Sequence, residues 1–238
     1  MRHSTTGAAF LPFRASSIPP PGRIIGLMST AIAIPLALAA AYLVGSVDFA
    51  GIVARMHGVD IREEGSGNPG TSNVLRTLGR LPAAMVYIGD TLKGTVAALM
   101  GLIASGIADP LSVPPHMTIQ QVQWAFAAGF MAVVGHCYPV FNRFKGGKGV
   151  ATGGGVILFT APLVMLLEFL IWAIVVRLTK TASIGSMLLV VITLPLLAWR
   201  GVSGMGLVWV ALMIALVVWR HRGNIQRMIR GAEEKVPT

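Results

Sequence analysis

Six apolar runs, Ile24–Val44, Leu81–Ile107, Trp124–Val140, Val156–Val176, Ile184–Trp199 and Met205–Trp219, leave few folds open to this chain. A helix needs about 20 apolar residues to cross roughly 30 Å of hydrocarbon, and several of these runs reach or approach that length. The charge content agrees. Of the 238 residues, 54% are hydrophobic and 12% charged, against about a quarter charged in an ordinary soluble domain. Too few charges remain to clothe a water-exposed surface, so lipid must cover much of the protein.

The expected fold is therefore all-α, a polytopic membrane helix bundle. The formal net charge is +10, but the basic residues sit between or after apolar runs, where inside-positive topology and anionic headgroups explain them. Nucleic acid is not an expected partner. The single cysteine, Cys137, excludes an internal disulfide and reads as a packing residue. Residues 1–23 are polar and proline-bearing, which predicts a disordered amino-terminal extension. Ala37-Leu38-Ala39 looks like a peptidase site, yet the apolar run continues past it to Gly45-Ser46, so an uncleaved first helix is expected. Residues 24–221 then form the bundle and 222–238 a basic cytoplasmic tail.

Charge placement sets the topology. Basic clusters occupy Arg55–Arg80, Asn142–Lys148, Arg177–Lys180 and Arg220–Lys235, whereas Ala108–Gln123 carries no Lys or Arg and is broken by Pro110, Pro114 and Pro115. Six plain helices would strand the third cluster and the tail outside. A seventh crossing repairs both, and the stretch from Gly149 to Arg177 has room for it: at ~1.5 Å per residue it would run about 44 Å as one straight helix. Pro162 predicts a short helix over Val150–Thr160 and a second over Pro162–Val176. Seven transmembrane helices including one short one, amino end out and carboxyl end in, satisfy the charges.

Two inner loops carry the candidate chemistry. The first, GVDIREEGSGNPGTSNVLRTLG, concentrates Gly65, Gly67 and Gly70 with Ser66, Asn68, Thr71, Ser72 and Asn73. Glycine lets backbone approach a ligand, and successive N–H groups can cup an anion. Ser72 or Asn73 is expected to cap a following helix, whose positive end would face the site. Arg76, one turn in, can offer a two-pronged fork to phosphate. The second loop, GHCYPVFNRFKGGKGVATGGG, sets Lys145 and Lys148 about Gly146 and Gly147. It reads as a phosphate cradle of glycine amides and two ammonium groups. It is not a nucleotide-binding P-loop: Gly149 stands where Ser or Thr should follow the Gly-Lys pair, and Asn142 replaces the upstream glycine.

His136, just before the second loop, is open to two readings: acceptor of a hydroxyl proton, or a satisfied helix-end residue. Asp90 and Lys93 fall at i, i+3 in an apolar helix and read as an ion pair that fixes helix packing. Glu168 reads as a polar contact inside the bundle. Thr181, Ser183 and Asn224 are neutral donors able to complete an anion site, with His221 one turn before Asn224. The loops hold no cluster of carboxylates, His and Cys, so no metal and no cofactor are expected.

Six strings together resemble the bacterial acyl-phosphate:glycerol-3-phosphate acyltransferase (PlsY) family: GS at 45–46, GSGNPGTSNVLR at 65–76, DTLKG at 90–94, GHCYPVFNRFKGGKGVAT at 135–152, SIGS at 183–186 and RHRGNIQR at 220–227. The resemblance spans roughly Ala41–Glu234. It implies a multi-pass protein of the bacterial inner membrane, with its active site facing the cytoplasm. The implied reaction moves a fatty acyl group from acyl phosphate to the 1-hydroxyl of sn-glycerol 3-phosphate, giving lysophosphatidic acid and phosphate in the first step of phospholipid synthesis. It further implies functional coupling to an enzyme that forms acyl phosphate. None of His3, His57, His116, His136 and His221 is followed by Asp five positions on, so the His-x4-Asp signature of other glycerolipid acyltransferases is missing.

Carried over residue by residue, the resemblance makes Ser66, Arg76 and Lys145 catalytic candidates, and the reading of the second loop adds His136 as a candidate proton acceptor. Asn68, Asn73, Gly146, Gly147, Lys148, Ser183, His221 and Asn224 are the substrate-binding candidates, and Glu233 matches a structural tail carboxylate. This chain reads Gly70-Thr71-Ser72-Asn73 where the family usually has Gly-Ala-Thr-Asn, so Thr71 adds bulk and polarity; Gly153-Gly154-Gly155 is a further departure. A transporter of a phosphorylated solute would share the short helix and basic loops. Movement of substrate across liposomes without phosphate release separates that reading from the enzyme.

Overall fold

The computed structural model describes residues 21–106 and 119–237, with side chains described over 29–106 and 122–237. Residues 1–20 of the expected extension and most of the expected outer loop lie outside the described residues. Among the described residues ten α-helices follow in order: α1 Pro21–Gly45, α2 Phe49–Met56, α3 Thr71–Leu78, α4 Arg80–Ala104, α5 Ile119–Cys137, α6 Val150–Thr160, α7 Pro162–Thr179, α8 Ala182–Trp199, α9 Met205–Arg220 and α10 Arg222–Ile229. No strand occurs among the described residues. The chain is an all-helical membrane bundle.

Five described segments are long and apolar enough to cross a bilayer: Ser29–Met56, Arg80–Ala104, Val122–Asn142, Pro162–Thr179 and Ala182–Trp199. The pair α9 and α10, bent by 55°, makes a sixth if taken as one span. The eleven residues of α6 rise about 16 Å, roughly half the hydrocarbon thickness. A count of seven full crossings is thus not reached by length alone. The chain path nevertheless matches the expected break. α6 ends at Thr160, Pro162 opens α7 at a position where its missing N–H costs nothing, and α7 packs on α6 through Met165 against Gly154. Gly149, before α6, and Ser183, just after α7, line one cavity.

Small residues explain why these helices pack so closely. There is no room for a Cβ on Gly94 against the carbonyl of Thr152, nor on Gly155 against the carbonyl of Thr91, so α4 and α6 meet backbone to backbone. The Thr95 hydroxyl donates to the Gly155 carbonyl at 2.9 Å across this contact. The triple glycine, a looseness by sequence, is in part a packing surface of the kind that substitutes for a hydrophobic driving force in lipid. Around it lies the main core, with Phe126, Val133, Val156, Leu197 and Val210 fully or almost fully buried. The flanks of α1 and α7, including Leu36, Leu163, Leu166 and Ile174, remain exposed, as lipid-facing surfaces must.

At one end of the bundle, residues 46–79 fold back over the amino end of α4. Ala50, Val53, Ala54, Ile61, Val74, Ala83 and Val86 form a separate small core there. The tail after α10 also turns back: the Val236 N–H donates to the Lys180 carbonyl at 2.8 Å, and Val236 is buried against Val176 and Ala182. All four basic clusters consequently meet at one end.

Candidate active site

That end encloses a cavity of about 860 Å³, open mouth included. It is lined from the first loop by Ser66 and Asn68, from α3 by Thr71, Asn73 and Arg76, and from the second loop by Lys148; Ser183, His221 and Asn224 close the far wall, and His136 lies at its base. The two glycine-rich segments, about 80 residues apart in sequence, thus share one chamber through Arg76 and Lys148.

The donors on this wall are unevenly spent. Arg76 gives Nη2 to the Ser66 hydroxyl at 3.3 Å and to Glu234 at 2.8 Å, while its buried Nε has no partner among the described residues. The hydroxyl of Thr71 is likewise buried without a partner among the described residues. Burying an unpaired donor costs free energy unless a ligand uses it. Lys148 makes no hydrogen bond or ion pair among the described residues. Burial, offset in part by Glu233 and reinforced by Arg227 and Arg76, lowers its pKa to about 8. Three helices, α3, α6 and α8, begin on this cavity without a side-chain cap, so their amino-terminal N–H groups point positive ends toward it. The arrangement suits a phosphate dianion.

Other polar groups are already committed. Asn73 does not cap α3; Gly70 holds the cap position. The Asn73 amide instead donates to the carbonyls of Ile61 and Glu64 and accepts from the Ser66 N–H, pinning the first loop in shape. Ser183 and Asn224 both donate to Oε1 of Glu233, whose Oε2 accepts from Arg227 at 2.9 Å. Burial pushes the Glu233 carboxyl up, but these bonds outweigh it and hold its pKa below the usual value. The ring Nδ1 of His221 is 2.8 Å from the Val217 carbonyl.

The second loop corrects the cradle expected from its glycines. The Gly147 N–H donates to the His136 carbonyl, and Arg220 donates to the carbonyls of Gly146 and Gly147 at 2.7 and 3.0 Å. Neither position has room for a Cβ, because Gly146 lies on the His136 carbonyl and Gly147 on the His136 ring. These glycines serve close packing, and of the pair only Lys148 reaches the cavity. Lys145 is exposed and lies outside it.

Below the cavity, Lys93 pairs with Asp90 at 2.8 Å as the i, i+3 spacing predicts. The ammonium also donates to the Val47 carbonyl at 2.9 Å and to Nδ1 of His136 at 2.8 Å. A cation at Nδ1 makes that nitrogen an acceptor and leaves the proton of a neutral ring on Nε2. His136 in this state has no free lone pair with which to take a proton.

A second, apolar cavity of about 760 Å³ adjoins the first between α6, α7, α8 and α9. Tyr87, Gly149, Val150, Ala151, Trp172 and Ser186 line both. Its walls are single helix faces, such as Ser186, Leu189, Val190 and Thr193 on α8 and Val210, Met213, Ile214 and Val217 on α9. Polar cation site and apolar slot share a boundary, as an amphiphilic ligand requires.

A family model described as glycerol-3-phosphate acyltransferase matches residues 35–231. The chain belongs to that family. Among curated members, glycerol-3-phosphate acyltransferase of Bacillus velezensis is 41% identical over 204 residues, which cover 85% of this chain and 97% of the relative. That of Pseudomonas syringae pv. syringae is also 41% identical, over 81% of this chain and 93% of the relative. Among solved structures, the glycerol 3-phosphate form of PlsY (YgiH), an integral membrane glycerol 3-phosphate acyltransferase, matches with a TM-score of 0.76 and 35% identity over 86% of this chain and 96% of that one. Its lysophosphatidic acid form matches with a TM-score of 0.74.

Within this family member, sequence reasoning missed Arg227, Glu234, Tyr87 and Trp172 as cavity walls. The first two sat in a tail of which only Asn224 and Glu233 were singled out, and the aromatic pair in runs read only as apolar. Among the described residues, no group of three or more His, Cys, Asp or Glu side chains is placed to hold a metal ion.

Proposed function

We propose that this protein transfers a fatty acyl group from acyl phosphate to the 1-hydroxyl of sn-glycerol 3-phosphate, yielding lysophosphatidic acid and inorganic phosphate. One observation carries the reading: a chamber lined by Arg76 and Lys148 abuts an apolar slot, the same six residues lining both. Acyl phosphate needs both, the slot for its chain and the chamber for its head. Family membership and the two ligand forms of the PlsY relative support it.

Arg76, Lys148, Ser66, Asn68 and the open helix ends hold two phosphate groups side by side, offsetting their mutual repulsion. Asn73, Ser183, Asn224 and His221 shape that wall. The 1-hydroxyl oxygen then attacks the acyl carbonyl carbon. The bond from that carbon to the phosphate oxygen breaks, its electron pair leaves with phosphate, and the hydroxyl proton passes to the departing phosphate. That acceptor suits a site whose His136 lone pair is occupied by Lys93. Phosphate leaves readily, so no enzyme nucleophile is needed.

In this reading the protein spans the bacterial inner membrane seven times, α6 forming the short crossing, with the chamber toward the cytoplasm, where glycerol 3-phosphate arrives. An enzyme that makes acyl phosphate must supply the donor. The test is purified protein in lipid nanodiscs given acyl phosphate and glycerol 3-phosphate. Stoichiometric lysophosphatidic acid and phosphate are expected. Active-looking protein that releases neither, or that moves glycerol 3-phosphate across liposomes without releasing phosphate, removes the proposal.

A further inference from the structure

The tail presents two neighbouring carboxylates to the phosphate chamber, and they are held very differently. Glu233 is buried to 9% side-chain exposure and accepts from Ser183, Asn224 and Arg227. Glu234 is 39% exposed; among the described residues it is held by an ion pair to Nη2 of Arg76 at 2.8 Å, and its charge also acts on Lys148. The backbone between them and α7 is fixed, because Val236 is buried and its N–H is bonded to the Lys180 carbonyl. Glu234 can therefore swing to water by side-chain rotation alone, while Glu233 cannot leave without breaking three bonds.

We propose that Glu234 is an affinity-setting residue: a resident anion on Arg76 that incoming phosphate replaces and that re-forms its ion pair as product phosphate departs. The proposal rests on the phosphate-binding reading above. Three features of Arg76 carry it. Its Nη2 is divided between Glu234 and Ser66, its Nε is buried and unpartnered among the described residues, and the residue lines the chamber. A phosphate fork needs two adjacent N–H directions, so full engagement of Arg76 draws on the prong that Glu234 holds. The carboxylate also places a negative charge beside the bound dianion, which weakens binding and hastens release. Partial exposure keeps the effect modest.

The experiment measures inorganic phosphate binding to the full chain in nanodiscs by titration calorimetry, with no turnover required. Glu234→Gln removes the charge and keeps the shape; it should tighten phosphate by roughly two- to fivefold, the scale of one part-exposed ion pair. Glu234→Asp should follow the wild type, and Glu234→Ser, lacking the amide, should follow Glu234→Gln. In the acyl-transfer assay, Glu234→Gln should lower KM for glycerol 3-phosphate and strengthen product inhibition by phosphate by the same factor, without raising kcat. Unchanged or weaker phosphate binding in both neutral variants overturns the proposal, because a tail pin that only orients Arg76 would loosen the site when removed. Failure of wild type and variants alike to bind millimolar phosphate also overturns it. Failure of acyl transfer with phosphate binding intact would instead strike the proposed reaction and leave this assignment standing.

Discussion

The Asp90–Lys93–His136 cluster and the Arg76–Lys148 cluster border the same chamber, yet they treat their charges in opposite ways. In the first, each ammonium proton of Lys93 has an acceptor, on Asp90, His136 and Val47, and all three side chains are buried. In the second, Arg76 keeps a buried unpartnered Nε, Lys148 has no bonded partner among the described residues, and three helices leave their amino ends open. A satisfied network rigidifies; an unsatisfied one in a cavity stores capacity for a ligand. The contrast assigns the first cluster to holding α4, α5 and the end of α1 together and the second to binding.

Swapping the two roles by mutation is the severest way to break this contrast. Lys93→Met leaves Asp90 buried without its cation, and losing one member of a buried pair costs about 3–5 kcal/mol. Thermal unfolding in detergent should show a large drop in midpoint, with activity lost through misfolding. Arg76→Ala should do the reverse. Its midpoint should stay near wild type while turnover falls roughly 10²–10³-fold, the range for removing one preorganised charge-stabilising donor. A stable Lys93→Met, or an active Arg76→Ala, would show that the satisfied and unsatisfied clusters had been assigned backwards.

The acid–base behaviour of Lys148 sharpens the same contrast at intermediate size. With its pKa lowered to about 8, it loses its charge as pH rises through that value, and the chamber loses a cation. kcat/KM for glycerol 3-phosphate should therefore fall above about pH 8, approaching tenfold per unit where that one proton controls binding. Lys148→Arg, which stays charged, should move this limb upward beyond pH 10. A wild-type profile flat to pH 10 would mean that Lys148 does not bear on the bound anion.

What the sequence disclosed divides along similar lines. The split between α6 and α7 was legible, because Pro162 breaks the pattern and the charge clusters demand a return pass. The Asp90–Lys93 pair was legible from i, i+3 spacing. His136 joining it was not, since that contact spans 43 residues and depends on how α4 packs on α5. The same holds for Glu233 with Ser183, 50 residues apart. The apolar slot was invisible for another reason. Residues such as Leu189, Val190 and Met213 look alike in sequence whether they face lipid or a cavity. Ser66, Arg76 and Lys148 were named in advance because their side-chain chemistry suits anion binding, and Ser183, His221 and Asn224 through the family resemblance; which donors were free and which were already spent is a property of packing alone.

Lys145 and Lys148 give the finest test, since the string FKGGKG presents them as equivalent and the structure separates them. Arg143 and Phe144 both adopt left-handed backbone, at φ 51° and 61°, and turn the chain outward so that Lys145 is exposed. Arg220 then clasps the carbonyls of Gly146 and Gly147 while stacking on Tyr138 at 5.1 Å, and the chain re-enters at Lys148. Gly149, at φ 88°, follows it at the cap position of α6. Lys145→Ala removes a solvated charge outside the chamber, a change within about 0.5 kcal/mol for ordinary surface sites. It should alter kcat/KM by no more than about twofold, with a shift that shrinks as salt is raised. Lys148→Ala should behave like Arg76→Ala. Should Lys145→Ala prove as damaging as Lys148→Ala, the loop must close inward on substrate, and the boundary between spent and unspent donors would have to be redrawn to include it.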